Sequence, residues 1–468
     1  MNEHKVGEDP SKQPPRCGRG GILALSTLGL AGCLRSNQNE ERSEPPERDE
    51  SEHSETDTSE DTEDSEESDA GEESFDTEPG PRALPINPPL SWVAPSGGST
   101  YRGVLEHTVE PADDAALQWI REGEPTEFSG MSPIATDEHI ALRVDFDLGV
   151  IDAATGDLQW KAGETNAIPV DITDETVTAV VSARDGTALV THALSDGTER
   201  DRFEFEESLI NPTATDEGIY YTNYDSDDDR GEVIARNRAN GEVRWRVQLE
   251  NARPAIPSVN ENAVYVGVKH TDADHEDVDG SVVAIDRETG TEQWRVSELQ
   301  RVQSPVAVTE DAVFAASEVG PGLTAIEADS GDHRWTINTR NGSGIPPVVD
   351  DEAVYFGTSD QEFYRIDRTD GTPDWRIDLP GRNGNAEMAL VGRTLYVPRQ
   401  LAGSESARSV LTAVNADTGE VVWDVRFDNR FTLAVVPTGN TIFIGTTDLH
   451  NSDAPDRLLT FAAGPTED

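Results

Sequence analysis

A glycine followed four residues later by tryptophan recurs along this chain, and no other feature constrains the fold as strongly. It reads Gly156 to Trp160, Gly241 to Trp245, Gly290 to Trp294, Gly331 to Trp335, Gly371 to Trp375 and Gly419 to Trp423. Each pair follows a β-branched run and a small or acidic residue, as in Ile285-Asp286-Arg287-Glu288-Thr289-Gly290. A degenerate copy runs through Asp196-Gly197 and places Asp201 where tryptophan belongs. With Trp119 included, positions 119, 160, 201, 245, 294, 335, 375 and 423 are separated by 41, 41, 44, 49, 41, 40 and 48 residues. Such periods, combined with period-2 alternation and glycine turns, are those of four-stranded propeller blades and exclude an α-solenoid.

The rest of a blade lies upstream of each turn. Val264–Gly267 and Val354–Gly357 read as second strands, and Pro133, Pro169, Pro212, Pro257, Pro305 and Pro347 mark first strands. Proline is tolerated there because the missing N–H lies at a sheet edge. Leu458–Gly464 reads as a third strand and turn, and Ala116–Ile120 supplies the missing fourth. The expected fold is therefore all-β: an eight-bladed propeller of four-stranded antiparallel blades over residues 117–468. The ring closes by pairing N- and C-terminal strands.

Ala284, Asp286, Thr289, Gly290 and Trp294 spell A-x-D-x-x-T-G-x-x-x-W. This unit resembles the tryptophan-docking motif of the pyrroloquinoline-quinone (PQQ)-repeat family of eight-bladed propellers. The resemblance implies that the tryptophans and turn glycines are architectural, each tryptophan packing between neighbouring blades. Two functional branches follow from it. Quinone-dependent alcohol and glucose dehydrogenases hold PQQ over the channel beside calcium, the alcohol enzymes with a vicinal cysteine pair. The only cysteines here are Cys17 and Cys33, both upstream of the propeller. Other members are binding propellers without cofactor, among them the lipoprotein scaffold of bacterial outer-membrane protein assembly. The expectation is a non-catalytic protein-binding or assembly scaffold with no cofactor, no metal and no catalytic residue. The alternative is a PQQ/calcium-dependent quinoprotein dehydrogenase.

The N-terminus reads as an address. Arg16 and Arg19 precede an apolar run from Gly21 to Gly32, and Leu30-Ala31-Gly32-Cys33 resembles a lipobox. Residues 1–33 are therefore expected to be a signal peptide, with Cys33 taking a lipid. Residues 34–80 carry 20 acidic and three basic residues, too polar to bury a core, and are expected to be a disordered tether. A proline-rich extension, 81–116, should pack on the propeller. The lipid anchor would then place a monomer on the extracellular face of the cell membrane.

Charge narrows the partners. The chain has 468 residues, 92 Asp plus Glu against 37 Lys plus Arg, and only four lysines. Nucleic acid is excluded because no stretch supplies a basic footprint. Residues 81–468 alone carry a net charge of −39. An acidic, lysine-poor globular part resembles the proteins of extreme halophiles, particularly haloarchaea, where molar salt screens self-repulsion.

Two acidic loops invite a metal reading. Asp225, Asp227 and Asp229 have the odd spacing of an EF-hand start, but Arg230 stands where glycine is needed. His270 to Asp279 lacks tetrahedral zinc spacing. Partner recognition is assigned to second-to-third-strand loops, long at Asn223–Gly231, Lys269–Gly280, Pro398–Arg408 and Thr446–Asp456. In blades one, two, five and six they are short, as at Thr358–Gln361. The expected partner is a protein or cell-surface component.

Overall fold

The computed structural model describes residues 104–105, 117–123, 133–183, 186–272, 277–320, 322–383, 387–401, 409–427, 430–431, 435–438, 441–447 and 456–462. Cys33, the leader, the tether and most of the extension lie outside them. So do the tips of the hairpins of blades seven and eight, and Gly464.

The strands form eight sheets. Blade four shows the pattern: Ser258–Val259, then Ala263–Thr271, Asp277–Asp286 and Glu292–Leu299, each antiparallel to the last. First strands are short and buried, so they line the centre. Fourth strands alternate exposed and covered residues and form the rim. Blade five is Ala307–Val308, Ala312–Ala316, Leu323–Glu327 and His333–Ile337. Blade six is Val348–Val349, Ala353–Gly357, Glu362–Asp367 and Pro373–Asp378. The expected second strands are both present.

Closure follows the sequence reading. Leu117–Gly123 pairs antiparallel with Asp456–Ala462, which pairs with Thr441–Thr447. Blade eight is thus a composite of the two chain ends. The core lies between sheets rather than within them. Val302, Val306, Val308 and Val313 of the blade-five side pack with Tyr265, Val282 and Ala284 of blade four, all fully covered. Each sheet buries both faces against neighbours, which is why these strands read as near-continuous apolar runs.

Strand direction alternates, so glycine turns and first-to-second turns share one face. Second-to-third hairpins and blade-to-blade connections share the other. Backbone bonds tie this second set together: Thr271 N–H donates to Asn251 O at 3.0 Å and Glu318 N–H to Arg301 O at 3.0 Å.

Candidate functional site

The motif residues form the joints of the ring. Trp294 Nε1–H donates to Ala328 O at 2.8 Å, in the turn of the next blade. The same bond runs from Trp119 to Ala153, Trp160 to Leu194, Trp245 to Arg287, Trp335 to Arg368 and Trp375 to Ala416, at 2.7–3.0 Å. In every case the acceptor lies three residues before the turn glycine. Those glycines, Gly156, Gly197, Gly290, Gly331, Gly371 and Gly419, have φ of 71–77° and lie against the indole of the preceding blade. Trp119, Trp245, Trp294, Trp335 and Trp423 are buried, whereas Trp160 and Trp375 are only half-buried. A second aromatic supports most indoles, as Tyr265 does Trp294 at 5.8 Å and Tyr396 does Trp423 at 5.9 Å.

Blade two departs from the pattern. Asp201 does not reach the joint. Phe203 and Phe205, two and four residues on, approach Gly241 instead, with a would-be Cβ there 3.3 Å from each ring. Arg236 stacks over Phe205 at 4.4 Å and bonds Gly241 O at 2.7 Å. It also pairs with Glu207, which accepts from Tyr221 Oη at 2.6 Å and Arg246 at 2.8 Å. Burial opposes ionisation of Glu207, yet the bonds from Tyr221, Arg246 and Arg236 hold its carboxyl below the ordinary range.

Arginine locks the glycine-turn face. Arg287 donates to Tyr220 Oη at 2.9 Å and Thr215 Oγ1 at 3.1 Å, joining blade four to blade three. Arg238 reaches back to Asp171 and to Thr215 O at 3.0 Å, and Arg368 pairs with Asp311 at 3.4 Å. A planar fork with several fixed donors serves two partners at once, which a lysine ammonium does less well.

The hairpin face differs from the sequence expectation. Asn223–Gly231 is not a loop: the ladder continues through Asp225 and Arg230, leaving four linking residues. In blade four it continues to Thr271 and Asp277. In blade two the loop is short as expected, Ala183 pairing with Gly186, on an eight-residue second strand, Thr176–Ala183. Second strands have eight, eight and nine residues in blades two, three and four, but five in blades five and six. Three or four extra residues raise the wall by about 10–13 Å.

Asp229 braces this wall. It is 4% exposed, with φ of 51°, and accepts from Tyr224 Oη at 2.5 Å and from Thr271 Oγ1 in blade four. Arg253 stacks over Tyr224 at 4.9 Å. Burial, with the bond to Asp229, pushes the Tyr224 phenol up. Asp229 is thus a structural carboxylate, not part of a cation loop. His270 bonds Ser281 Oγ at 2.9 Å. Around the wall, Phe146, Val278 and Val319 are 48%, 51% and 40% exposed, all at or near the ends of second-to-third hairpins. Sequence reasoning missed them because isolated apolar residues in turns carry no periodic signal.

The described residues do not assemble a PQQ/calcium site. Among the described residues no group of three or more His, Cys, Asp or Glu could hold a metal ion. The propeller has no cysteine for a vicinal pair. The channel-facing edge of blade seven is covered by the chain's own Val104–Leu105, paired parallel to Ala389–Val391.

A ring of eight four-stranded sheets with inter-blade tryptophan docking defines a propeller of the PQQ-repeat class. The family model described as outer membrane protein assembly factor BamB matches residues 108–246, 144–273 and 278–430, and the chain belongs to that family. It is 29% identical over 144 residues to a 1-butanol dehydrogenase (quinone) of Thauera butanivorans, covering 27% of this chain and 23% of that protein. It is 24% identical over 126 residues to the outer membrane protein assembly factor BamB of Moranella endobia, covering 26% and 30%. The chain thus spans less than a third of the length of these curated relatives. The crystal structure of BamB from Moraxella catarrhalis superposes with a TM-score of 0.51 at 14% identity, covering 74% of this chain and all of that one.

Proposed function

We propose that this protein is a surface-anchored lipoprotein whose propeller is a non-catalytic protein-binding or assembly scaffold working in high salt. Cys33 is the lipidation site, and residues 34–80 hold the ring off the extracellular face of the membrane. The observation that carries the reading is the presence of exposed apolar side chains on second-to-third hairpins of one face, in blades one, four and five. Phe146, Val278 and Val319 stand there beside a wall braced by Asp229; the opposite face has its own exposed Leu158, Val243 and Val421, each two residues after a turn glycine, among the arginine contacts. Apolar residues held on rigid hairpins lose little entropy when they are covered, which suits them to anchor a partner. The family match to an assembly factor supports this class of role; the partner's identity is open to experiment.

The test replaces Phe146, Val278 and Val319 together by serine. Wild-type propeller, cross-linked to cell envelopes in molar salt, should retain a discrete protein that the triple variant loses, with unchanged melting. Equal retention by both would place recognition elsewhere. The similarity to a quinone-dependent butanol dehydrogenase favours one rival, a PQQ/calcium enzyme, which dye-linked turnover distinguishes.

A further inference from the structure

The innermost strand of a propeller blade has one edge with no partner inside its own sheet. Its N–H and C=O groups alternate between the second strand and the channel. The first-to-second turns fix which residues face which way. Thr136 N–H donates to His139 O at 2.8 Å, Thr215 to Gly218 at 2.9 Å, Asn260 to Ala263 at 3.1 Å and Asp350 to Ala353 at 3.1 Å. Those residues face the second strand, so residues an odd number of places before them face the channel. Three places before them stand Pro133, Pro212, Pro257 and Pro347. Where the strand runs regularly, the proline lacks an N–H that would otherwise point into the channel; in blade three the register shifts between Ile210 and Thr213, at Pro212 itself. In blade eight Pro437 stands one place before Thr438, which pairs with Thr441 across the turn, and so faces the channel; in blades two and five Pro169 and Pro305 stand four places before Thr173 and Thr309 and face the second strand. Proline is a standard means of keeping a sheet edge from accepting another strand.

Blade seven has no proline of either kind between Arg382 and Val391. Residues 382–391 read Arg-Asn-Gly-Asn-Ala-Glu-Met-Ala-Leu-Val. Ala389 pairs with Tyr396 as Val348 pairs with Tyr355, so Met388 stands where blade six has Pro347. Val391 pairs with Thr394 across the turn, which leaves Leu390 facing the channel. That edge is the one joined by a further strand: Val104 pairs with Leu390 and Leu105 with Val391, in parallel. The register brings the Leu105 N–H to the Leu390 carbonyl.

We propose that the channel-facing edge of blade seven is a strand-acceptor site for an extended polypeptide, held closed in cis by Val104–Leu105. Recognition is by main-chain hydrogen bonds, so the ligand class is an extended segment free of proline at the paired positions. Among the described residues the cis segment pairs over two. It competes through its high effective concentration rather than through extensive contacts, which makes it displaceable. This site goes beyond the scaffold reading and does not rest on it: the hairpin tips and the channel edge are different surfaces.

The test uses the full-length chain in molar salt and a fluorescein-labelled peptide of residues 99–110, followed by anisotropy. Wild type should bind it weakly, its edge being covered. Leu105→Pro in the chain removes the cis donor, and peptide affinity should rise at least tenfold. Adding Leu390→Pro, which removes the channel-facing donor of the acceptor strand, should abolish that gain. Should Leu390→Pro fail to fold, Met388→Pro reproduces a placement that four other blades tolerate, and it should also weaken the peptide. A labelled peptide carrying proline in place of Leu105 should not bind. The proposal is overturned if Leu105→Pro binds no tighter than wild type. Binding that survives the acceptor-strand prolines overturns it equally.

Discussion

The indole of Trp294 in blade four lies against Gly331 in blade five, so near that a Cβ on the glycine would come within 2.9 Å of Cδ2. The glycine has φ of 76°, a conformation that L side chains rarely adopt. One contact thus joins the two conserved-spacing elements of the repeat across a blade boundary. Trp294→Ala should destabilise the ring by about 3–5 kcal/mol, the range for deleting a buried large aromatic. Gly331→Ala should also destabilise, through both the backbone strain and displacement of the indole. Denaturant unfolding in molar salt measures both, and a neutral Gly331→Ala would show that the joint is not tight.

Blade two offers the converse. Phe205 is 7% exposed and lies against Gly241, whereas Asp201 is exposed. Phe205→Ala should therefore cost about 3–5 kcal/mol, and Asp201→Ala should stay within about 0.5 kcal/mol of wild type. A larger cost for Asp201→Ala than for Phe205→Ala would mean that the aspartate, not the phenylalanine, occupies the joint.

These two joints show what was legible. Tryptophan four residues after glycine is a fixed local spacing, so the sequence exposes the ring and its closure through Trp119. Substitution by Phe203 and Phe205 is invisible at that spacing because two smaller rings enter from other positions. The hairpin wall was misread for a related reason. Asn223–Gly231 is rich in turn-forming residues, yet Tyr224 bonds Asp229 within blade three, Thr271 bonds Asp229 from blade four, and the ladder runs on upward. The covered edge of blade seven had a trace in the sequence, the missing proline, whose meaning depends on which way each N–H points.

Glu207 makes stability depend on acid pH. Burial opposes its charge, but Tyr221, Arg246 and Arg236 outweigh that and lower its pKa. A lowered carboxylate contributes stability that is fully present above the unfolded value, about 4.3. The contribution is lost as pH falls through the lower folded value. The melting-temperature gap between wild type and Glu207→Gln should be constant from pH 6 to 8 and shrink below about pH 4. A gap that widens on acidification would contradict this sign.

Membrane attachment through Cys33 has a direct test. One covalent lipid provides the proposed apolar hold, so Cys33→Ser should move the protein from the membrane fraction to the medium. A variant that stays with membranes through detergent-free salt washes would remove the lipid-anchor proposal.

Dye-linked dehydrogenase turnover after equilibration with PQQ and calcium in molar salt tests the non-catalytic reading most directly. The propeller has no cysteine, and its described residues have no metal-competent group. The predicted result, with primary alcohols and with glucose, is dye reduction at the rate of the protein-free mixture. Substrate-dependent reduction above that rate, saturating with PQQ, would contradict the scaffold assignment and make this propeller an enzyme.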